Sequence, residues 1–150
     1  MKFRKSELAQ IQLDEAIRQF LDRKDYVCAC TLAGAAEEIF GALLKREGIK
    51  TALDELADMW NASDLPALDR QAIGRSLNHV RNQLKHAGDP DFDEIEATQM
   101  DAMLLIARAA GMHPKFADRP TEQLLRFRQW WQDEAAALVE QFPRLEDFAS

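Results

Sequence analysis

The stretch from Asp25 to Gly48, DYVCACTLAGAAEEIFGALLKREG, decides the fold class. Asp25 is a good helix cap, Lys45 and Arg46 put cations in a last turn, and Gly48 supplies a stop. The interior holds Ala33-Gly34-Ala35-Ala36 and Gly41-Ala42. Glycine inside a helix costs about 1 kcal/mol relative to alanine, so its use here points to close backbone approach by a neighbour. A central helix in a tightly packed bundle meets that requirement. Glu37 and Glu38 sit within the small-residue stretch, and at least one of them is expected to be partly buried.

Helical periodicity continues on both sides of this segment, and strand signals are nearly absent. Before it, Ala9, Leu13, Ala16, Ile17, Phe20 and Leu21 form one apolar stripe, predicting a first helix from Lys5 to Arg23. After it, a third helix is expected from Ala52 to Trp60. A fourth is expected to be capped by Asp64 with Pro66 in its first turn, and to run to Ala87 before Gly88-Asp89-Pro90. A fifth spans Glu94 to Ala110, with Gly111 as its stop. A sixth begins near Pro120 and runs to Phe142, ended by Pro143. The connections are short, as antiparallel neighbours require. The expectation is an all-α, compact antiparallel bundle of five or six helices in a single domain over residues 1–150, with the second and fourth helices central.

Composition agrees with a folded domain. Hydrophobic residues make up 47% of the 150 and charged residues 30%, enough for both a core and a polar surface. By this reading no apolar run approaches the ~18–20 residues that span a bilayer. The basic start at Met1-Lys2-Phe3-Arg4-Lys5 leads into no apolar segment, so a cytoplasmic chain without membrane association is expected. Cys28 and Cys30 lie two positions apart on a helix and cannot bridge each other. They read as small buried hydrophobes in a reducing compartment.

The net charge of −7 argues against a surface made for nucleic acid as a whole. One segment departs from it: between Arg70 and Gly88 stand Arg70, Arg75, Arg81 and Lys85 and no acid. At about 100° per residue, Ile73, Leu77, Val80 and Leu84 form the narrow apolar stripe of the fourth helix. The remaining arc carries Arg75, Asn78, His79, Arg81, Asn82, Lys85 and His86: amides, imidazoles and cations, with no carboxylate.

Arg81-Asn82-Gln83-Leu84-Lys85-His86 fits an arginine followed after four residues by a histidine, with a polar residue directly after the arginine. In this the chain resembles the HEPN superfamily of small helical bundles. Leu32-Ala33-Gly34-Ala35-Ala36-Glu37-Glu38-Ile39 and Asn82-Gln83-Leu84-Lys85-His86-Ala87-Gly88-Asp89-Pro90 also resemble a group of uncharacterised bacterial proteins, over roughly Leu13 to Pro114. The superfamily includes metal-independent ribonucleases of toxin and phage-defence systems as well as inactive binding domains.

The resemblance implies a catalytic set of Arg81, Asn82 and His86. His86 would move the proton of the RNA 2′-hydroxyl or of the leaving 5′-oxygen. Arg81 would stabilise the pentacoordinate phosphate, and Asn82 would orient phosphate or imidazole. Arg75, Asn78 and Lys85 would bind RNA or another anion. The products would be a 2′,3′-cyclic phosphate and a 5′-hydroxyl. No cofactor is implied. The implied partners are RNA or a nucleotide, an antitoxin, and a second copy of the chain. Residues five apart on a helix diverge by about 140°, so Arg81 and His86 converge poorly within one chain. A homodimer with two fourth helices at its axis would close the gap, with Glu37 or Glu38 offsetting the gathered cations.

Other readings compete with this one. Lys85-His86 before Gly88 also reads as a plain C-terminal cap, and His79 and His113 as a surface and a loop residue. Asp89, Asp91 and Asp93 alternate like the start of a calcium loop, but Glu94 stands where glycine is needed and Met100 where glutamate is needed. Glu37-Glu38 lacks the third acid of a magnesium-dependent pyrophosphatase, and no metal-ligand set is expected. The main alternative is a non-enzymatic interaction protein. It is favoured by the last helix, where Leu124, Phe127, Trp131, Ala135, Leu138 and Phe142 form a stripe and Trp130 lies off it.

Overall fold

The computed structural model describes residues 1–64, 69–88, 91 and 93–141, and the backbone but not the side chain of Ile73. The expectations for Pro66, Asp89, Pro90, Phe142, Pro143 and the Ile73 side chain lie outside the described residues. Among those described there are six α-helices and no strand. They are α1 (Lys5–Arg18), α2 (Tyr26–Arg46), α3 (Ala52–Asn61), α4 (Arg70–Gln83), α5 (Gln99–Met112) and α6 (Glu122–Glu140).

The first helical run reaches Arg23 as expected, but its last turn, Gln19–Arg23, is a π turn closed by Lys24 in the left-handed region at φ 56°. The Asp25 carboxylate then accepts from the Cys28 amide at 2.9 Å and starts α2. At the other end Gly48 adopts φ 69° while the Ile49 amide donates to the Leu44 carbonyl, a turn that asks for glycine.

Three threonines set later boundaries. Thr51 and Thr98 each form a reciprocal cap with the aspartate three residues on, and Thr121 caps Leu124. Three expected boundaries change. The fifth helix starts not at Glu94 but at Gln99, where the Thr98 hydroxyl accepts from the Asp101 amide and the Asp101 carboxylate accepts from the Thr98 amide. It also runs through Gly111 to Met112. The sixth starts at Glu122, close to Pro120 as expected. The fourth is capped by Asp69, whose carboxylate accepts from the Ala72 amide at 2.8 Å, and not by Asp64.

The core lies where α1 and α5 run along α2, with α6 closing over α1 and α5. Leu13, Ile17, Phe20, Phe40, Met103, Ile106 and Leu124 are its largest fully buried apolar side chains. By length and composition α2 could itself cross a bilayer, contrary to the expectation that no run is so apolar. Its apolar side chains Ala33, Ala36, Phe40 and Leu44 are instead buried within the bundle.

The centre of the bundle is therefore α2 with α1 and α5. The expected central role of α4 is not observed: it lies against α2 and α3 and is reached from α5 by Arg108, and none of its described side chains is fully buried.

Several side chains also differ from expectation. Cys30 is buried, its thiol pushed up to about 12 by desolvation, whereas Cys28 is exposed. His113 is buried in a short turn (His113–Lys115) that follows α5, edge-on to Phe40 at 6.3 Å. Desolvation holds its imidazole below the usual histidine value. In α6 the two tryptophans exchange roles. Trp130 packs edge-on against Phe20 at 4.6 Å and stacks on Phe127, and Trp131 is the exposed one.

Candidate functional site

Arg81 leaves the surface and turns toward α2. Its aliphatic stem passes over Gly34, where a Cβ would lie 2.6 Å from Arg81 Cγ. The close backbone approach expected at the glycine is not what fills the space at Gly34: a side chain does. Arg81 Nη1 donates to Glu37 Oε2 at 2.8 Å, and the arginine side chain keeps 14% of its exposure. Glu37, 7% exposed, is shared: Arg108 Nη2 of α5 lies 3.0 Å from its other oxygen.

Arg108 holds α4 as well. Its Nη2 donates to Asn78 Oδ1 at 2.6 Å and its Nη1 to the Leu77 carbonyl at 3.0 Å. One buried and one largely buried guanidinium therefore converge on one buried carboxylate. Among the described residues the Nε atoms of both arginines are buried without a hydrogen-bond partner. Burying such charges is tolerable only because each is paired.

The catalytic set implied by the motif is dispersed. Asn82 is exposed, and its Oδ1 accepts from Arg81 Nη2 at 3.4 Å. His86 is exposed and lies beyond the helix, which ends at Gln83 and not at Ala87. The Lys85 amide bonds back to the Asn82 carbonyl, three residues earlier, and this tighter turn closes α4. Arg81 thus faces the interior while His86 stands in solvent past the helix end.

The expected anion-binding residues divide in the same way. Asn78 faces Arg108, Arg75 is exposed, and the Lys85 ammonium donates to Glu38 Oε2 at 2.6 Å. That bond, followed by the Coulomb attraction of Lys85 and Arg81, holds the Glu38 carboxyl below its ordinary value. Arg70 pairs with Asp54 of α3. Acids of α2 and α3 therefore neutralise three of the four cations in the basic segment. Lys85 serves as an ion-pair partner and not as a helix cap.

Arg108 is the residue that the sequence reading missed. Leu105, Arg108, Ala109 and Met112 recur at i, i+3, i+4 and i+7, which sets a charge on the apolar stripe of α5 and marks it as buried. Among the described residues no group of three or more His, Cys, Asp or Glu side chains could hold a metal ion. Comparison with family models, curated proteins and solved structures finds no match to this chain.

Proposed function

We propose that this chain is a HEPN-like helical bundle that acts by binding rather than by cutting RNA, with Arg81 as a positioning residue for α4. The all-α architecture and the Arg81–His86 motif at the end of α4 support the HEPN-like reading. The observation that carries the binding role is the engagement of Arg81 by Glu37 at 14% exposure. Cleavage would need a guanidinium and an imidazole aimed at one phosphate in an open cleft. For Arg81 to reach a phosphate it must leave Glu37, which would lose one of the two cations facing it. A homodimer is not required to complete a site in this reading. The setting implied by the resemblance is a bacterial toxin–antitoxin or defence system, with an interaction partner in place of an RNA substrate.

The test is incubation of purified protein with single-stranded and hairpin RNA in excess chelator. The expected result is intact RNA. Cleavage that leaves 2′,3′-cyclic phosphate ends, and that folded Arg81→Ala and His86→Ala variants both lose, would overturn the proposal and restore the endoribonuclease.

A further inference from the structure

The exposed side of α2, next to the start of α1, carries a second apolar stripe. Ala35, Ile39, Ala42 and Leu43 recur at i, i+4, i+7 and i+8, partly or fully exposed. They floor an open groove of about 380 Å³ that also touches Lys5, Glu38, Arg46 and Lys85. A further recess of about 340 Å³ shares Lys5, Leu43 and Arg46 and adds Arg4 and Phe116. The strip covers nine residues of helix, about 13 Å at 1.5 Å per residue.

We infer that this groove docks an acidic amphipathic helix of a partner protein; the inference rests on the binding role proposed above and gives it a surface. Charge supplies the first reason. The chain as a whole carries −7, yet Arg4, Lys5 and Arg46 gather at one end of the groove and outnumber the nearby acids Glu47 and Glu7, the latter accepting from the Arg4 amide at 2.8 Å. At the other end Lys85 is matched by Glu38. Carboxylates flanking an apolar face would meet cations here and repulsion over much of the remaining surface.

Shape supplies the second reason. Ala35 and Ala42 let another backbone come close, and the apolar spacing of the floor is that of a helix-in-groove contact. A small amphiphile is a poorer occupant, because an open groove cannot bury the ~70–90% of surface that small-ligand sites enclose. RNA is poorer as well. The floor is aliphatic, and the ring of Phe116 is already stacked on Phe40 at 4.9 Å, so no free platform for bases is offered.

The probe is a fluorescein-labelled peptide of about 18 residues, with leucine at i, i+3, i+4 and i+7 and glutamate between. Its anisotropy on titration with the full chain should saturate. The Lys5→Glu/Arg46→Glu double variant and the Ala42→Arg variant should each weaken it by about tenfold or more. Arg46 and Ala42 are exposed, so both variants should keep the wild-type circular dichroism. Equal binding of a lysine-for-glutamate peptide or of a scrambled one would overturn the inference. So would saturation untouched by the substitutions, displacement of the peptide by oligouridylate, or a homodimer dissolved by Ala42→Arg. RNA cleavage without loss of peptide binding would sink the binding-only role and leave the groove standing.

Discussion

α2 and α4 lie side by side, and opposite physics holds them in place. The inner face of α2 is packed with Ala33, Ala36, Phe40 and Leu44, closed over by α1 and α5. α4 presents Leu77 and Val80, with Leu84 just past its end, all only partly buried though Val80 and Leu84 pack against the core, and it is fastened as well by charge: Arg81 to Glu37, Arg108 to Leu77 and Asn78, Lys85 to Glu38, Arg70 to Asp54. Apolar packing is non-directional and tolerates rearrangement, whereas a shared carboxylate fixes the register of the helices that donate to it. The bundle thus has a core held by area and an appended helix held by geometry.

Two substitutions separate these modes most strongly. Phe40→Ala empties the centre of the core and should cost about 3–5 kcal/mol, read as a lowered urea midpoint for the whole chain. Glu37→Gln should cost about as much, about 3–5 kcal/mol, because it leaves one buried and one largely buried guanidinium without a counter-charge. The difference lies in where the loss falls. Hydrogen exchange should show α4 amides opening first in Glu37→Gln, while Phe40→Ala lowers protection in α1, α2 and α5 together. If Glu37→Gln left α4 as protected as in the parent chain, the clamp would not be what holds it.

The fold was legible where periodicity and caps coincide. The α1 stripe, the Asp25 start and Gly48 stop of α2, and the all-helical class follow from local sequence, because those residues act within one turn of where they stand. The end of α4 was not legible. Nothing local to Leu84-Lys85 announces that Lys85 will reach an acid on another helix 47 positions away, and the continued pattern to Ala87 reads as helix. The site fared worse for a related reason. A helical wheel displays Arg81 and Asn78 on the polar arc of α4, where they read as parts of an RNA or anion site, yet both bond to protein groups on other helices. Glu37 and Glu38 were legible as the acids that offset Arg81 and Lys85, and at least one of them as partly buried, whereas at Gly34 a backbone approach was expected and the Arg81 side chain makes it.

Gly34 offers a smaller and sharper probe. Alanine is the better helix former by about 1 kcal/mol, so on α2 alone Gly34→Ala should stabilise. Against Arg81 Cγ at 2.6 Å from the new Cβ, it must instead displace the arginine stem and loosen its bond to Glu37. We expect a net loss of about 1–2 kcal/mol. The pairing of Gly34→Ala with Arg81→Ala, which removes Cγ and Cδ, should recover much of the alanine gain. That non-additivity in a double-mutant cycle is the signature of direct contact. A stabilised single variant would show that α4 can shift without loss, and the contrast with the core would then be one of degree.

The weakest effect is expected at Lys85, and its weakness is informative. Lys85 and Glu38 bond at 2.6 Å, shorter than the Arg81–Glu37 contact, but their side chains keep 34% and 59% of their exposure. Water screens such a pair and the long side chains lose freedom in forming it, so Lys85→Ala should cost no more than about 1 kcal/mol. Because Glu38 is held below its ordinary value when folded, its contribution is present at neutral pH and above. It fades as pH falls through the folded value, where the carboxylate takes up a proton. Removing Lys85 should therefore flatten a small part of the acid limb of the stability curve. Added salt should shrink the remaining difference from the parent chain. Urea titrations of both chains at pH 7 and below pH 4, in low and high salt, measure it. A loss in Lys85→Ala as large as that in Glu37→Gln would mean that surface charge, and not the buried carboxylate shared by Arg81 and Arg108, is what ties α4 to the bundle.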